Sequence, residues 1–201
     1  MGAWCMASSS VVAQLIGATL FTLGSGCFAW QAFVDDWVDI FKTGCALWIG
    51  GCVVYLWPPL YNQYNKKGVR IGDLLQLAGM VAWIVGSAYG FHDDLDSVGL
   101  PVVRGGFLAG SVCLLLDALL QVLHAARTPG AQNEMFSVAA DVLAGLFYMI
   151  ASVLGGFATD IRLVRIGNLC WIPGSLLYFV RPCLALFAGE RMSAARARRQ
   201  G

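Results

Sequence analysis

One helix face returns six times along this chain. It consists of a small residue, an aromatic four positions on, a second small residue seven on, and Ser or Cys eight on. The copies are Gly17/Phe21/Gly24/Ser25, Gly44/Trp48/Gly51/Cys52, Gly79/Trp83/Gly86/Ser87, Val103/Phe107/Gly110/Ser111, Ala144/Tyr148/Ala151/Ser152 and Gly167/Trp171/Gly174/Ser175. At 3.6 residues per turn these offsets fall within an arc of about 100°, so each copy is one face of one helix. Each also sits inside an apolar run of about 20 residues, the length that crosses a hydrocarbon core. The expected fold is all-α: a polytopic membrane protein with six transmembrane helices.

Composition agrees. The chain of 201 residues is 58% hydrophobic and only 12% charged, whereas charged residues approach about a quarter of a soluble domain. Its mean hydropathy is +0.69. A net charge of +1 with no basic face gives no expectation of nucleic acid. The 7 Cys form no CxxC pair and fall mostly in apolar runs, so they read as buried thiols, not a disulfide framework or metal site. Before the first run there is no Lys or Arg, and that run is too long for a signal-peptide core, so no cleaved leader is expected.

The spans are placed at 11–31, 41–59, 73–91, 102–123, 137–158 and 164–186. Trp57-Pro58-Pro59 closes the second, Pro101 opens the fourth, and Pro129-Gly130 turns the loop after it. The connections are too short to fold as extramembrane domains, so residues 1–201 form a single membrane domain with a basic tail at 187–201. Lys66, Lys67, Arg70, Arg127, Arg191, Arg196, Arg198 and Arg199 fall on the side of the termini. The other side holds Lys42, Arg104, Arg162 and Arg165 among the acids Asp35, Asp36, Asp39, Asp93, Asp94, Asp96 and Asp160. The positive-inside rule then puts both termini on the cytoplasmic, matrix or stromal side, in a membrane whose identity the sequence does not carry.

Ser25, Ser87 and Ser152 recur at spacings of 62 and 65 residues, so the larger period is a two-helix unit. Three hairpins in tandem, at 11–60, 73–123 and 137–186, make the chain. The segments GATLFTLGSGCFAW, GCALWIGGCVVYLWPPL and IGNLCWIPGSLLYFVRP resemble the paired helices of YrhK-like membrane domains, small units with a G-S-x-x-F/Y signature often closed by Pro. The resemblance is best over 11–60 and 142–184. It implies a fold and carries no activity, cofactor or catalytic residue.

The recurring face reads as a packing face: Gly24, Ser25, Gly51, Cys52, Gly86, Ser87, Gly110, Ser111, Ala151, Ser152, Gly174 and Ser175 let backbones approach, with the rings filling the space beside them. The competing reading, rings lining a cofactor pocket, fits poorly because the pattern recurs in every helix. Gly86–Gly90 and Gly106–Gly110 are also GxxxG pairs. Trp30, Trp37, Trp57, Tyr61 and Tyr64 read as interface anchors, His92 to Asp96 as a solvated acidic turn, and Pro173 as a bend in the sixth span.

Intramembrane charge is where function could be written. Asp117, Asp141 and Arg181, with Gln14, Gln76 and Pro58, fall at one depth in the repeat frame, nearer one headgroup layer than the midplane. Asp117 is expected to face the bundle and find a cation, with Arg181 the first candidate and His124 or Arg127 the next. The 2 His fall on opposite sides, and no nucleophile–base pair or metal spacing exists, so an enzyme is not expected. The expected role is a non-catalytic structural or accessory subunit, without cofactor or metal, packing in a larger membrane assembly or with copies of itself. The alternative is a small ion- or proton-coupled transporter or channel using Asp117, Asp141 and Arg181.

Overall fold

The computed structural model describes residues 2–34, 38–57, 59–60, 70–92, 99–128 and 134–187, with side chains from Val11 onward. Among the described residues the structure is all-helical, with 6 helices long and apolar enough to span a membrane. They are α1 (Gly2–Gln31), α2 (Val38–Tyr55), α3 (Ile71–Tyr89), α4 (Leu100–Arg127), α5 (Met135–Phe157) and α6 (Ile161–Leu177). After a turn at 178–179 the last span continues to Phe187. The expected spans lie on these helices; α1 begins at Gly2, well before the expected start at 11, and α4 runs to Arg127, four residues past the expected end at 123. Pro101 sits in the first turn of α4, where its missing N–H costs no helix bond. Asp160 caps α6 by accepting from the Arg162 N–H at 2.8 Å. Asp35, Asp36, Trp37, Pro58, Tyr61, Tyr64, Lys66, Lys67, Asp93, Asp94, Asp96, Pro129, Gly130 and the tail arginines Arg191, Arg196, Arg198 and Arg199 lie outside the described residues.

Each helix packs on its neighbour in sequence, and α6 packs on α1, so the six form a closed ring. The facing residues fix the directions. Gly17 meets Tyr55, Gly24 meets Trp48 and Gly44 meets Phe28, so α2 retreats as α1 advances. Gly72 meets Asp117 and Gly86 meets Gly106 between α3 and α4; Tyr148 meets Gly174 and Gly155 meets Gly167 between α5 and α6. Ser111 to Ser152 joins α4 to α5, and Ser25 to Ser175 joins α1 to α6. Every neighbouring pair is antiparallel, and the start of α1 and the end of α6 share one end of the bundle.

The recurring aromatic position explains the core. Phe21, Trp48, Trp83, Phe107, Tyr148 and Trp171, one from each helix, meet on the ring axis. Trp48 touches all the others, with centroid distances from 4.5 Å to Trp83 to 5.6 Å to Tyr148. Most are edge-on or tilted contacts, the arrangement that the ring quadrupole favours. Phe28 covers this layer toward one end, and Tyr55 and Tyr178 cover it toward the other. The axis is filled by rings.

Glycine makes that gathering possible. A Cβ on Gly24 would stand 2.4 Å from Trp48 Cδ1, and one on Gly51 2.8 Å from Phe21, so each helix of the pair lays its ring on the other's glycine. Gly110 holds Trp83 in the same way, at 2.2 Å, and Gly174 holds Tyr148 at 2.8 Å. The two GxxxG motifs divide their work: Gly86 and Gly106 meet each other, Gly110 takes Trp83, and Gly90 faces Cys45 and Phe41 of α2.

Gly24→Ala and Gly110→Ala are expected to destabilise the folded protein by about 1–3 kcal/mol, because a tryptophan ring must move. Gly26→Ala and Gly105→Ala, where a Cβ meets nothing within 4 Å, are expected to be neutral or to stabilise by up to about 1 kcal/mol. Thermal unfolding of the four variants in one detergent tests the contrast, and equal effects at all four sites would contradict it.

Candidate functional site

Three helices bring charge together at the end of the bundle where α1 starts. Asp117 lies well inside α4 and is 8% exposed. Its Oδ2 accepts a 2.9 Å hydrogen bond from the Gln121 amide one turn on. The other face of that amide, its Oε1, accepts from Arg181 Nη2, and the same Nη2 pairs with Asp141 Oδ2 of α5. Asp117, Gln121, Arg181 and Asp141 thus form one continuous chain across α4, the end of the last span, and α5. The side chains of Arg181 and Asp141 are 40% and 16% exposed, so the ion pair is open to the surroundings and Asp117 is the more buried end of the chain.

The structure corrects the expected direct pairing of Asp117 with Arg181. Gln121 stands between them, and the guanidinium makes its ion pair with Asp141. His124 and Arg127, the other expected partners, are exposed on the last turns of α4. Asp117 Oδ1 turns instead toward the first turn of α3, 2.5 Å from where a Cβ of Gly72 would stand. That turn begins at Arg70 without a side-chain cap, and the unpaired N–H groups of a helix start favour a nearby carboxylate. Gln121 follows Asp117 by four residues, a helical neighbour that spacing alone could have marked; the approach of Gly72 had no such signal. Gln14 and Gln76 are half-buried on α1 and α3.

The opposite end uses cations on helix ends. Arg165 Nε donates to the Ala32 carbonyl just past α1 at 3.1 Å, with its guanidinium 5.5 Å over the Phe33 ring. Arg104 lies along Gly156 and 5.9 Å over the Phe157 ring, at the end of α5. Both positive charges thus meet the carbonyl end of a neighbouring helix, where the dipole is negative. Lys42 holds on α2 the place in the repeat that Arg165 holds on α6.

The Ser positions form two nodes in the core. Ser25 and Ser175 share a 2.6 Å hydrogen bond, and the Tyr148 hydroxyl joins Ser175 at 2.9 Å, tying α1, α5 and α6. The Phe107 carbonyl accepts from Trp83 Nε1 and from Ser111, and the Ser152 hydroxyl, 3.2 Å from that carbonyl and 2.9 Å from Ser111, donates to one or the other, tying α3, α4 and α5. Cys52 and Ser87, at the remaining places, are fully buried, and Ala151 is buried beside Ser152. Trp30 is 64% exposed and Trp57 55%, both pointing outward near helix ends. A shallow apolar groove outside α1 and α6 is lined by Gly26, Ala29, Trp30, Phe33, Val34 and Ile172. Among the described residues no three His, Cys, Asp or Glu gather as metal ligands would.

Residues 132–188 match the YrhK-like protein family. The YrhK-like segment takes in α5 and α6, including Asp141, Tyr148, Ser152, Trp171, Ser175 and Arg181, while Asp117 and Gln121 lie outside it. It covers the second of the two stretches where the sequence resembles that family, and it does not extend to 11–60. No curated protein and no solved structure matches the chain.

Gln121→Leu is expected to cost about 1–3 kcal/mol by leaving Asp117 without its donor. Gly72→Ala should cost a similar amount by displacing the carboxylate. Arg181→Ala should hurt more than the double variant Arg181→Ala/Asp141→Ala, because a partly buried charge left alone is worse than none. Thermal melts in detergent give these four values and that of Asp141→Ala alone, and a double variant equal to the sum of its two singles would show that Arg181 and Asp141 are uncoupled.

Proposed function

We propose that this chain is a non-catalytic integral membrane protein, a structural or accessory subunit that packs within a larger membrane assembly or with copies of itself. One observation carries the reading: the six aromatic rings that fill the ring axis, with Trp48 against all the others. The outward faces support it. They present Val12, Ile16, Leu23, Val81, Leu116, Leu146 and Ile166 to the surroundings, a surface suited to lipid or to another apolar helix. We read the fold as three tandem two-helix units of the YrhK-like kind. The family match to α5 and α6 and the return of the same face in every helix support that division. The charge distribution favours termini on the cytoplasmic, matrix or stromal side.

A second reading is an ion- or proton-coupled transporter built on Asp117, Asp141 and Arg181. The buried Asp117 at the end of a hydrogen-bonded chain favours it, and the aromatic layer beyond the chain argues against it.

The deciding experiment extracts the full chain in native-lipid nanodiscs and measures mass and composition. The subunit reading expects a stoichiometric membrane partner or a defined oligomer, and a lone monomer would overturn it. In reconstituted vesicles the transporter reading expects solute or proton flux that Asp117→Asn abolishes while the melting temperature holds; vesicles without flux would overturn it. For the topology, a Cys introduced at Ser97 should label from the opposite side to one introduced at Ser193.

A further inference from the structure

We propose that the ring opens laterally at a single seam, between α2 and α3. The other five seams carry an interlock. Rings sit on glycines between α1 and α2, and Gly86 meets Gly106 between α3 and α4. Hydroxyl pairs join α4 to α5 and α1 to α6, and the Tyr148–Ser175 bond with the Asp141–Arg181 ion pair closes α5 on α6.

The α2/α3 seam differs in kind. The repeat places Cys52 and Ser87 where the other two inter-unit seams place Ser111 with Ser152 and Ser25 with Ser175. A thiol is a weak donor and acceptor, and the Ser87 hydroxyl is fully buried without a partner. A buried hydroxyl without a partner adds no tie across the closed seam, so less holds α2 to α3 than holds the other two inter-unit pairs. The contact is also the least extensive of the six neighbouring pairs. It rests on the edge-on Trp48–Trp83 stack and on the Cys45 thiol against Gly90. A ring-on-ring contact can slide apart, whereas a ring seated on a glycine of the facing helix must climb out.

Two native thiols report on this seam, since Cys45 and Cys52 are both fully buried on α2. The full chain in lipid nanodiscs is treated with N-ethylmaleimide, and labelling at each cysteine is followed by peptide mass spectrometry. Cys45 and Cys52 are expected to label, while a cysteine introduced by Ala144→Cys, fully buried on α5, stays unlabelled over the same period. Cys52→Ser supplies Ser87 with a hydroxyl partner and should slow labelling of Cys45 about fivefold, the effect of one ordinary hydrogen bond on an opening equilibrium. Labelling of Cys45 no faster than at the Ala144→Cys site would overturn the proposal. So would a Cys45 rate that Cys52→Ser leaves unchanged.

Discussion

A tryptophan or phenylalanine ring seated on a glycine of the facing helix is the contact from which the rest of this structure follows. In a bilayer the tails are as apolar as leucine, so helices are not driven together by escape from water, and close packing with hydrogen bonds must hold them. Gly24 under Trp48, Gly51 under Phe21 and Gly110 under Trp83 bring the backbones near enough for the rings to reach the common axis. Once there, the six rings fill the space that six helices in a closed ring would otherwise leave open. The Ser and Cys positions follow each second small residue by one place, so the same register that seats the rings sets Ser25 on Ser175 and Ser111 on Ser152.

Charge is confined to the two ends and serves helix termini there. Arg165 donates to the carbonyl just past α1, Arg104 lies at the end of α5, and the Asp117 carboxylate faces the start of α3. Antiparallel neighbours place a negative helix end beside a positive one, so a side chain on one helix is well placed to serve the next. This gives Arg104 and Arg165 a local role that a count of basic residues by side does not reveal. The chain from Asp117 through Gln121 and Arg181 to Asp141 does the same across three segments, and its charges remain close to one another.

The recurrence is not perfect, and its imperfections are informative. Trp83 donates to the Phe107 carbonyl, while the indole N–H of Trp48 is buried without a partner. Ser87 lacks the hydroxyl that its counterparts share, because Cys52 occupies the facing place in the repeat. Both departures involve α2 and α3, so the part of the ring with the fewest polar ties is also the part where the pattern has drifted.

The helices and their inward faces were legible in the sequence, because a period of 3.6 within an apolar run of membrane length leaves one secondary structure and one face. Asp117, Asp141 and Arg181 could be set at a common depth by counting from the repeat, since rise per residue is fixed in a helix. Which carboxylate would take Arg181 could not be read in that way. That choice depends on lateral position around the ring, and the sequence fixes depth but not azimuth between helices. Tertiary structure alone seated Arg181 on Asp141 and turned Asp117 toward Gly72. It also decided that α6 closes on α1, so that rings spaced along the chain by dozens of residues could meet on one axis. Periodicity is a local property of the backbone and was written in the residues; the meeting of six faces depends on how antiparallel helices fill space together.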